Sequence, residues 1–142
     1  MIWLLRHGAA EDGSPDEARR LTAKGRDQAA NAGRALASLG VDIEACLSSP
    51  KARAMETAEL ACKPLDVEVE TTDALAGGDF DPAELGGGRG EVLLVGHEPD
   101  FSRAVGLITG GRVDLKKGGI AAIADGELRL LLRPAELKQI AG

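Results

Sequence analysis

Tyrosine is absent from this sequence, and Trp3, Phe80 and Phe101 are its only aromatic residues. Binding of single-stranded nucleic acid relies on aromatic platforms for stacking bases, so the shortage counts against such a partner. Positive charge is also in deficit: 17 Lys and Arg stand against 23 Asp and Glu, a formal net charge of -6 at pH 7. A chain of that charge repels polyanions, and no nucleic-acid partner is expected. A few cations gathered in one cleft can still hold a small phosphate. Cysteine is limited to Cys46 and Cys62, outside any CxxC pair, which reads as two free buried thiols. The two histidines and two cysteines are scattered over four separate elements, so zinc-ligand spacing is missing. No metal and no cofactor are expected. No apolar run approaches the roughly 20 residues that span a bilayer. The opening Met1–Arg6 is too short for a signal peptide's apolar region and lacks a basic leader. A cytoplasmic protein without a membrane partner is the expectation.

The 142 residues suit one domain, 1–142, with a single core built from Leu, Val, Ile and Ala. Ile2–Leu5 is a short, wholly apolar run, as in a strand buried on both faces. Residues 9–20 are polar, hold Gly13 and Pro15, and read as a loop. Thr22 can cap a helix whose buried face is Ala29, Ala32, Leu36 and Leu39, stopped by Gly40. A second strand is expected around Ala45–Leu47. Ser49-Pro50 then reads as an N-cap followed by proline at the first helical position. The helix after it would turn Ala54, Met55, Ala58 and Ala61 inward. Val67–Glu70 alternates with period two, fitting a half-exposed strand. Residues 73–90 read as a mobile glycine-rich loop with one helical turn near Pro82–Leu85. Gly86-Gly87-Gly88 within it lacks the lysine and spacing of a nucleotide-binding loop.

Val92–Val95 is the clearest buried strand. A helix with Phe101, Ala104, Val105 and Ile108 inward should follow and end at Gly110-Gly111. Ile120–Ala124 and Leu128–Leu132 flank Asp125-Gly126 as a hairpin, and Pro134–Ile140 forms a last helix. Strands alternating with helices imply parallel βαβ units. The expected fold is α/β, three layers (α/β/α), with a mostly parallel central sheet and an antiparallel edge.

Three polar clusters follow apolar strands: Arg6-His7-Gly8, Ser48-Ser49-Pro50 with Arg53 one turn later, and Gly96-His97-Glu98. Parallel strands in an open α/β sheet share one carboxyl edge, and ligands bind in the crevice beyond it. The clusters should therefore meet, bringing both histidines of the chain together. The residue types suit a phosphoryl group. Arginine offers a planar fork of donors that matches phosphate oxygens, and a helix start near Arg53 favours anions. Positive surroundings keep a histidine neutral near pH 7 and so nucleophilic. Gly8 would let backbone approach a ligand. A histidine after a strand is ordinarily a capping or packing residue; the flanking Arg6 and the other clusters favour function for His7 and His97. Lys116-Lys117 reads as a solvated pair on an edge.

Leu4-Leu5-Arg6-His7-Gly8 resembles the signature of the histidine phosphatase superfamily, which includes the phosphoglycerate mutases. The resemblance continues through Leu21–Gly25, Ser48–Ala58 and Val95–Glu98, in the family's order. The short length, without long insertions over the site, is most similar to the SixA branch of phosphohistidine phosphatases. The resemblance implies a phosphoglycerate mutase-like fold. It implies His7 as a nucleophile forming a phosphohistidine, with Arg6, Arg53 and His97 as the phosphate clamp. Arg19-Arg20-Leu21-Thr22 resembles an element of that branch that would put Arg19 near the substrate.

One departure stands out. Larger relatives carry a carboxylic acid after the third strand that protonates an alkoxide leaving group, and here that position falls on Gly77. Asp79 and Glu98 are possible substitutes, although each reads more simply as a surface carboxylate. An imidazole leaving group, with an ordinary pKa near 6.5, needs that proton far less than an alkoxide. The expected partner is therefore a phosphorylated protein carrying phosphohistidine. Rival readings are a small-molecule phosphomonoesterase acting on a phosphate ester, a catalytically silent phosphate-binding module and, least favoured, a mutase.

Overall fold

Three largely apolar runs and one short alternating run become the parallel part of one six-stranded sheet. The computed structural model describes residues Met1–Gly142. Strands β1 (Ile2–Arg6), β2 (Ala45–Ser48), β3 (Val69–Thr71) and β4 (Val92–Gly96) run parallel. Strands β5 (Ile120–Ala124) and β6 (Glu127–Leu132) add an antiparallel hairpin beside β1, giving the order β3-β2-β4-β1-β5-β6. The hairpin turns at Asp125 and Gly126, both with positive φ (53° and 72°), as a two-residue turn of the type I′ kind requires.

The pleat sends alternate residues to opposite layers. Trp3, Leu5, Cys46, Leu93, Val95, Ile120 and Ala122 enter the layer shared with α1 (Ala23–Ser38), α2 (Ala52–Leu65) and α5 (Pro134–Ala141). Leu4, Leu47, Val92, Leu94, Ala121 and Ile123 enter the other, with Phe101 and Val105 of α4 (Asp100–Thr109) and Leu85 of the short α3 (Pro82–Gly86). The three-layer α/β/α architecture follows. No helix is long and apolar enough to cross a membrane.

Central strands β1 and β4 are neighbours, yet the chain leaves them in opposite directions, to α1 on one face and α4 on the other. The carboxyl ends of these two strands thus form the switch-point crevice where open α/β sheets place ligands.

Some local readings change. Helix α2 begins at Ala52, with Lys51 at its N-cap, so Pro50 lies outside it and Ser49 is no cap. Ser49 is wholly buried instead, and its Oγ accepts the Lys51 N–H at 3.2 Å. Ile108 is 37% exposed rather than inward, because Phe101, Ala104 and Val105 already fill the inner face of α4. Strand β3 is only three residues long, although Val67 and Val69 are more buried than Glu68 and Glu70, as the alternation requires. The glycine-rich stretch holds a tight turn at Asp73–Leu75 and then α3, whose first N–H groups are accepted by the Asp81 carboxylate.

Few aromatics means close helix packing. Ala29, Ala32 and Ala35 of α1 and Ala54, Ala58 and Ala61 of α2 are buried, and a Cβ on Gly33 would stand 2.1 Å from the Ala61 carbonyl oxygen. Gly33→Ala should therefore destabilise the protein by about 1–3 kcal/mol through overpacking. Gly106→Ala in α4, where the nearest atom would lie at an ordinary 3.6 Å, should instead stabilise by about 0.5–1 kcal/mol through helix propensity. Urea unfolding of both variants checks the contrast.

Candidate active site

Register assembles the site. Arg6 lies opposite Gly96 in the β1–β4 pair, and Ser48 opposite Val95 in the β2–β4 pair. The next residues, His7, His97 and Ser49, therefore leave the sheet at one level. His7 N–H donates to the Gly96 carbonyl (3.0 Å) and Ser49 N–H to that of Val95 (3.0 Å). The two imidazoles end 5.3 Å apart, centroid to centroid, tilted by 55°. The buried polar side chains of the molecule are His7, Ser48, Ser49, Arg53, Thr57 and His97, all at this edge or in the first turns of α2.

The hydrogen-bond partners set each ring's tautomer. His7 Nδ1 lies 2.7 Å from the Gly8 carbonyl, which only accepts, so Nδ1 carries the proton and Nε2 keeps its lone pair. Burial, with the charges of Arg53, Arg6 and Lys117 adding to it, lowers the His7 pKa to about 4, against the Gly8 hydrogen bond. His97 Nε2 meets Ser49 Oγ at 2.8 Å. That oxygen accepts the Lys51 N–H and can give its own proton to His97 Nε2, the arrangement in which Nδ1–H is the donor. Burial, then His7, Arg53 and Lys51, lower the His97 pKa to about 3, with Asp16 opposing. Both rings are neutral at pH 7. One offers a lone pair and the other a donor.

The arginines enter from β1 and α2. Arg6 Nη1 donates to the Leu115 carbonyl at 3.0 Å, and burial lowers its pKa against the charges of Glu98 and Asp114. Arg53 Nη1 and Nη2 donate to the backbone carbonyl and the carboxylate of Asp16, at 2.9 and 3.1 Å. Three buried side-chain atoms in the molecule have no hydrogen-bond partner: Arg6 Nε, Arg53 Nε and His97 Nδ1. A buried donor left unpaired costs about 1–3 kcal/mol, more when charged. Three of them, from three elements ending at one sheet edge, make a receptor suited to the oxygens of a tetrahedral anion.

Other candidates are placed differently. The Gly8 N–H donates to Thr57 Oγ1 (3.1 Å) and a Cβ there would stand 2.5 Å from the Gly25 carbonyl, so this glycine serves contact with α1 rather than ligand approach. Arg19 donates from Nε to the Glu11 carbonyl (2.7 Å) and from Nη1 to Asp16 (3.0 Å), reaching the site only through Asp16. Asp79 is exposed and paired with Arg103 at 3.3 Å. Glu98 accepts the Ser102 N–H at 2.7 Å and so caps α4.

Four participants escaped the sequence reading. Thr57 Oγ1 donates to the Arg53 carbonyl (2.7 Å) while accepting from Gly8, tying α2 to the loop after β1. Its place four residues after Arg53, on the same helix face, was the available signal. Ser49 orients His97, and Asp16 engages Arg53. Lys117, read as half of a solvated pair, sits close enough for its charge to reach His7. The next residue shows why: Gly118 N–H donates to the carbonyls of Arg6 and His7 (3.1 and 3.0 Å).

The model of the histidine phosphatase superfamily (branch 1) matches residues 2–97, well over half of the chain. The chain belongs to the histidine phosphatase superfamily. Its fold is similar to the structure of the protein histidine phosphatase SixA complexed with tungstate, with a TM-score of 0.84 at 25% identity over 96% of this chain and 99% of that one. It is also similar in fold to the α-ribazole phosphatase from Shigella flexneri (TM-score 0.71, 18% identity, 94% and 96% covered). An uncharacterized protein of Picosynechococcus sp. is 32% identical over 144 residues, which cover 91% of this chain and 87% of that one. The mitochondrial serine/threonine-protein phosphatase Pgam5 of Drosophila persimilis is 40% identical over 68 residues, 47% of this chain and only 24% of that protein. Members of this superfamily are phosphatases and mutases, and the fold here is that of its phosphoglycerate mutase-like structures.

The depressed imidazole pKa values carry a stability consequence. The unfolded chain binds protons at each histidine near pH 6.5, whereas the folded chain holds off until about 4 for His7 and about 3 for His97. In that window the unfolded state carries more protons, so stability falls as pH falls. NMR titration of the ring carbons should show both imidazoles still neutral at pH 5. Unfolding free energy should decline from pH 6.5 towards pH 4, less steeply in His97→Gln.

Proposed function

We propose that residues 1–142 form one cytoplasmic histidine phosphatase domain that removes the phosphoryl group from phosphohistidine in a signalling protein. The carrying observation is the set of three unpaired buried donors, Arg6 Nε, Arg53 Nε and His97 Nδ1, next to a neutral imidazole with a free Nε2.

In this reading the His7 Nε2 lone pair attacks phosphorus. A P–N bond to His7 forms while the bond to the leaving ring breaks; the electron pair departs with that ring, which carries a proton on its other nitrogen and so leaves as neutral imidazole. Water then attacks the phosphohistidine on His7, releasing inorganic phosphate and returning the lone pair to Nε2. Arg6, Arg53 and His97 follow the charge on the equatorial oxygens through both steps, which is electrostatic stabilisation. The two guanidinium groups supply the positive charge, so the steps require no metal ion.

Leaving-group chemistry favours phosphohistidine over an alkyl ester. An alkoxide must be protonated as it leaves, and neither nominated acid makes a hydrogen bond or ion pair to His7, Arg53 or His97: Asp79 is paired with Arg103 and Glu98 accepts the Ser102 N–H at the start of α4. A phosphohistidine ring already protonated on its other nitrogen leaves as neutral imidazole without such help. The likeness to SixA supports the same substrate class. The fold shared with the α-ribazole phosphatase keeps a small phosphate ester as the second reading.

Two measurements separate these readings. Turnover of a phosphohistidine peptide should exceed that of a simple alkyl phosphate by orders of magnitude, and Asp79→Asn should leave it unchanged. Efficient alkyl phosphate hydrolysis that collapses in Asp79→Asn would reverse the ranking. Label from a radioactive substrate should be trapped on His7 in a rapid acid-free quench. Tight phosphate binding without label would mean a silent binding module. Arg53→Ala should lower kcat about 10²–10³-fold, the scale for removing one donor to a developing charge.

A further inference from the structure

Asp16 occupies an unusual place for an exposed carboxylate. It sits in the polar loop that precedes α1, in a short turn at Asp16–Ala18. Its oxygens meet three cations: Arg19 Nη1 at 3.0 Å, Arg53 Nη2 at 3.1 Å and Lys51 Nζ at 3.6 Å. Two of those cations, Arg53 and Lys51, also act electrostatically on His97. A solvent-exposed ion pair adds little stability, so these contacts have another consequence.

Aiming Arg53 does not require the carboxylate. The backbone carbonyl of Asp16 already accepts from Nη1 at 2.9 Å. The loop is held independently, by Glu11 N–H on the Arg20 carbonyl (2.8 Å), by Arg19 Nε on the Glu11 carbonyl (2.7 Å) and by the bridge between Ala10 and Leu21. What the carboxylate adds is one negative charge against the end of the guanidinium whose Nε is unpaired. A phosphate arriving at that Nε meets an arginine already partly neutralised.

We propose that Asp16 is a resident counter-anion that weakens the site's hold on inorganic phosphate, the product, and so sets how readily the site empties. This rests on the phosphatase reading above. In that reading Arg6, Arg53 and the donor of His97 converge on one small dianion, a grip that would slow release. A carboxylate a few ångströms away in partly solvated surroundings opposes an anion with an energy that corresponds to a several-fold change in affinity. It acts equally on substrate and product phosphate, which keeps the site from standing filled when phosphate is abundant.

The test is direct binding of inorganic phosphate and of tungstate to the full chain by calorimetry. Asp16→Asn, which keeps the backbone carbonyl, should bind phosphate three- to tenfold tighter at low salt. The gap should narrow at high salt, where exposed charges are screened. Steady-state inhibition of aryl phosphate turnover by phosphate should tighten by the same factor. Equal or weaker phosphate binding by Asp16→Asn would overturn the proposal and make the carboxylate a mere buttress of Arg53. Lys51→Gln provides an independent arm should Asp16→Asn fold poorly: it removes the opposite charge from the same cluster and should loosen phosphate several-fold. Unchanged or tighter binding there overturns the proposal as well. Wild-type protein that binds neither phosphate nor tungstate defeats the phosphatase reading itself, an outcome distinct from either variant result.

Discussion

The parallel pairing of β1 with β4 is the constraint on which the site depends. Its register sets Arg6 against Gly96, and the bond from His7 N–H to the Gly96 carbonyl extends it one residue past the strand. Two histidines separated by 90 positions in the chain then share one crevice, with centroids 5.3 Å apart. A register slip of one residue would turn every side chain of β1 to the opposite layer, sending Leu4 where Leu5 belongs and taking His7 away from His97. The dry packing of Trp3, Leu5, Leu93 and Val95 on one face, and of Leu4, Val92 and Leu94 on the other, forbids that slip. Core packing and site geometry are thus one specification.

Charge follows from the same placement. Bringing two imidazoles and the guanidinium of Arg53 together in a buried crevice, beside a half-buried Arg6, would be costly if all four were protonated. The structure resolves the conflict on the histidines, whose pKa values fall, since a guanidinium does not give up its proton in proteins. Neutral rings are also the chemically useful ones, since a protonated imidazole has no lone pair to give. Burial is the main reason that both rings are neutral, and the neighbouring cations add to it. In the proposed function, binding and activation would arise from a single arrangement, and arrival of a phosphate dianion would pull the histidine pKa values back up as it neutralises the cluster.

Much of this was legible in the amino-acid sequence, and the division is instructive. Apolar runs bounded by sharp polar clusters marked β1, β2 and β4, because a strand buried on both faces tolerates no polar residue inside it. Those ends carry Arg6, His7 and His97, so these candidate residues could be named without coordinates, and the structure brings them to one sheet edge. Ser49 and Pro50 were misread because the same dipeptide that starts many helices here forms a bend before one, freeing the serine hydroxyl for His97. Gly8 looked like a ligand-approach glycine, whereas the obstruction it avoids is backbone of α1, contributed by Gly25. Asp16 and Lys117 were invisible: each owes its position to a loop whose path depends on tertiary contacts, and neither loop has a periodicity to read. Thr57 lay in between, placed by helical spacing yet meaningful only once Gly8 was known to approach α2.

These loop and linker contacts explain how a small domain with three aromatic residues can hold a rigid anion receptor. The Thr57 hydroxyl joins the first turns of α2 to the loop after β1, accepting from Gly8 while donating to Arg53. The Gly118 N–H clamps the same loop from the opposite side through the Arg6 and His7 carbonyls, and Leu115 both fills the core and accepts from Arg6. Each proposed clamp residue is therefore fixed through backbone as well as side chain, by elements from different parts of the chain. Donors held this way have little room to reorganise, and preorganisation of that kind is what would make them more effective than water in the proposed reaction. In the proposed reaction, substrate choice then falls to what the scaffold leaves out. Asp79 pairs with Arg103 and Glu98 accepts the Ser102 N–H, and neither makes a hydrogen bond or ion pair to His7, Arg53 or His97, so in that reading the fixed donors act on the transferring group and the departing group relies on its own chemistry.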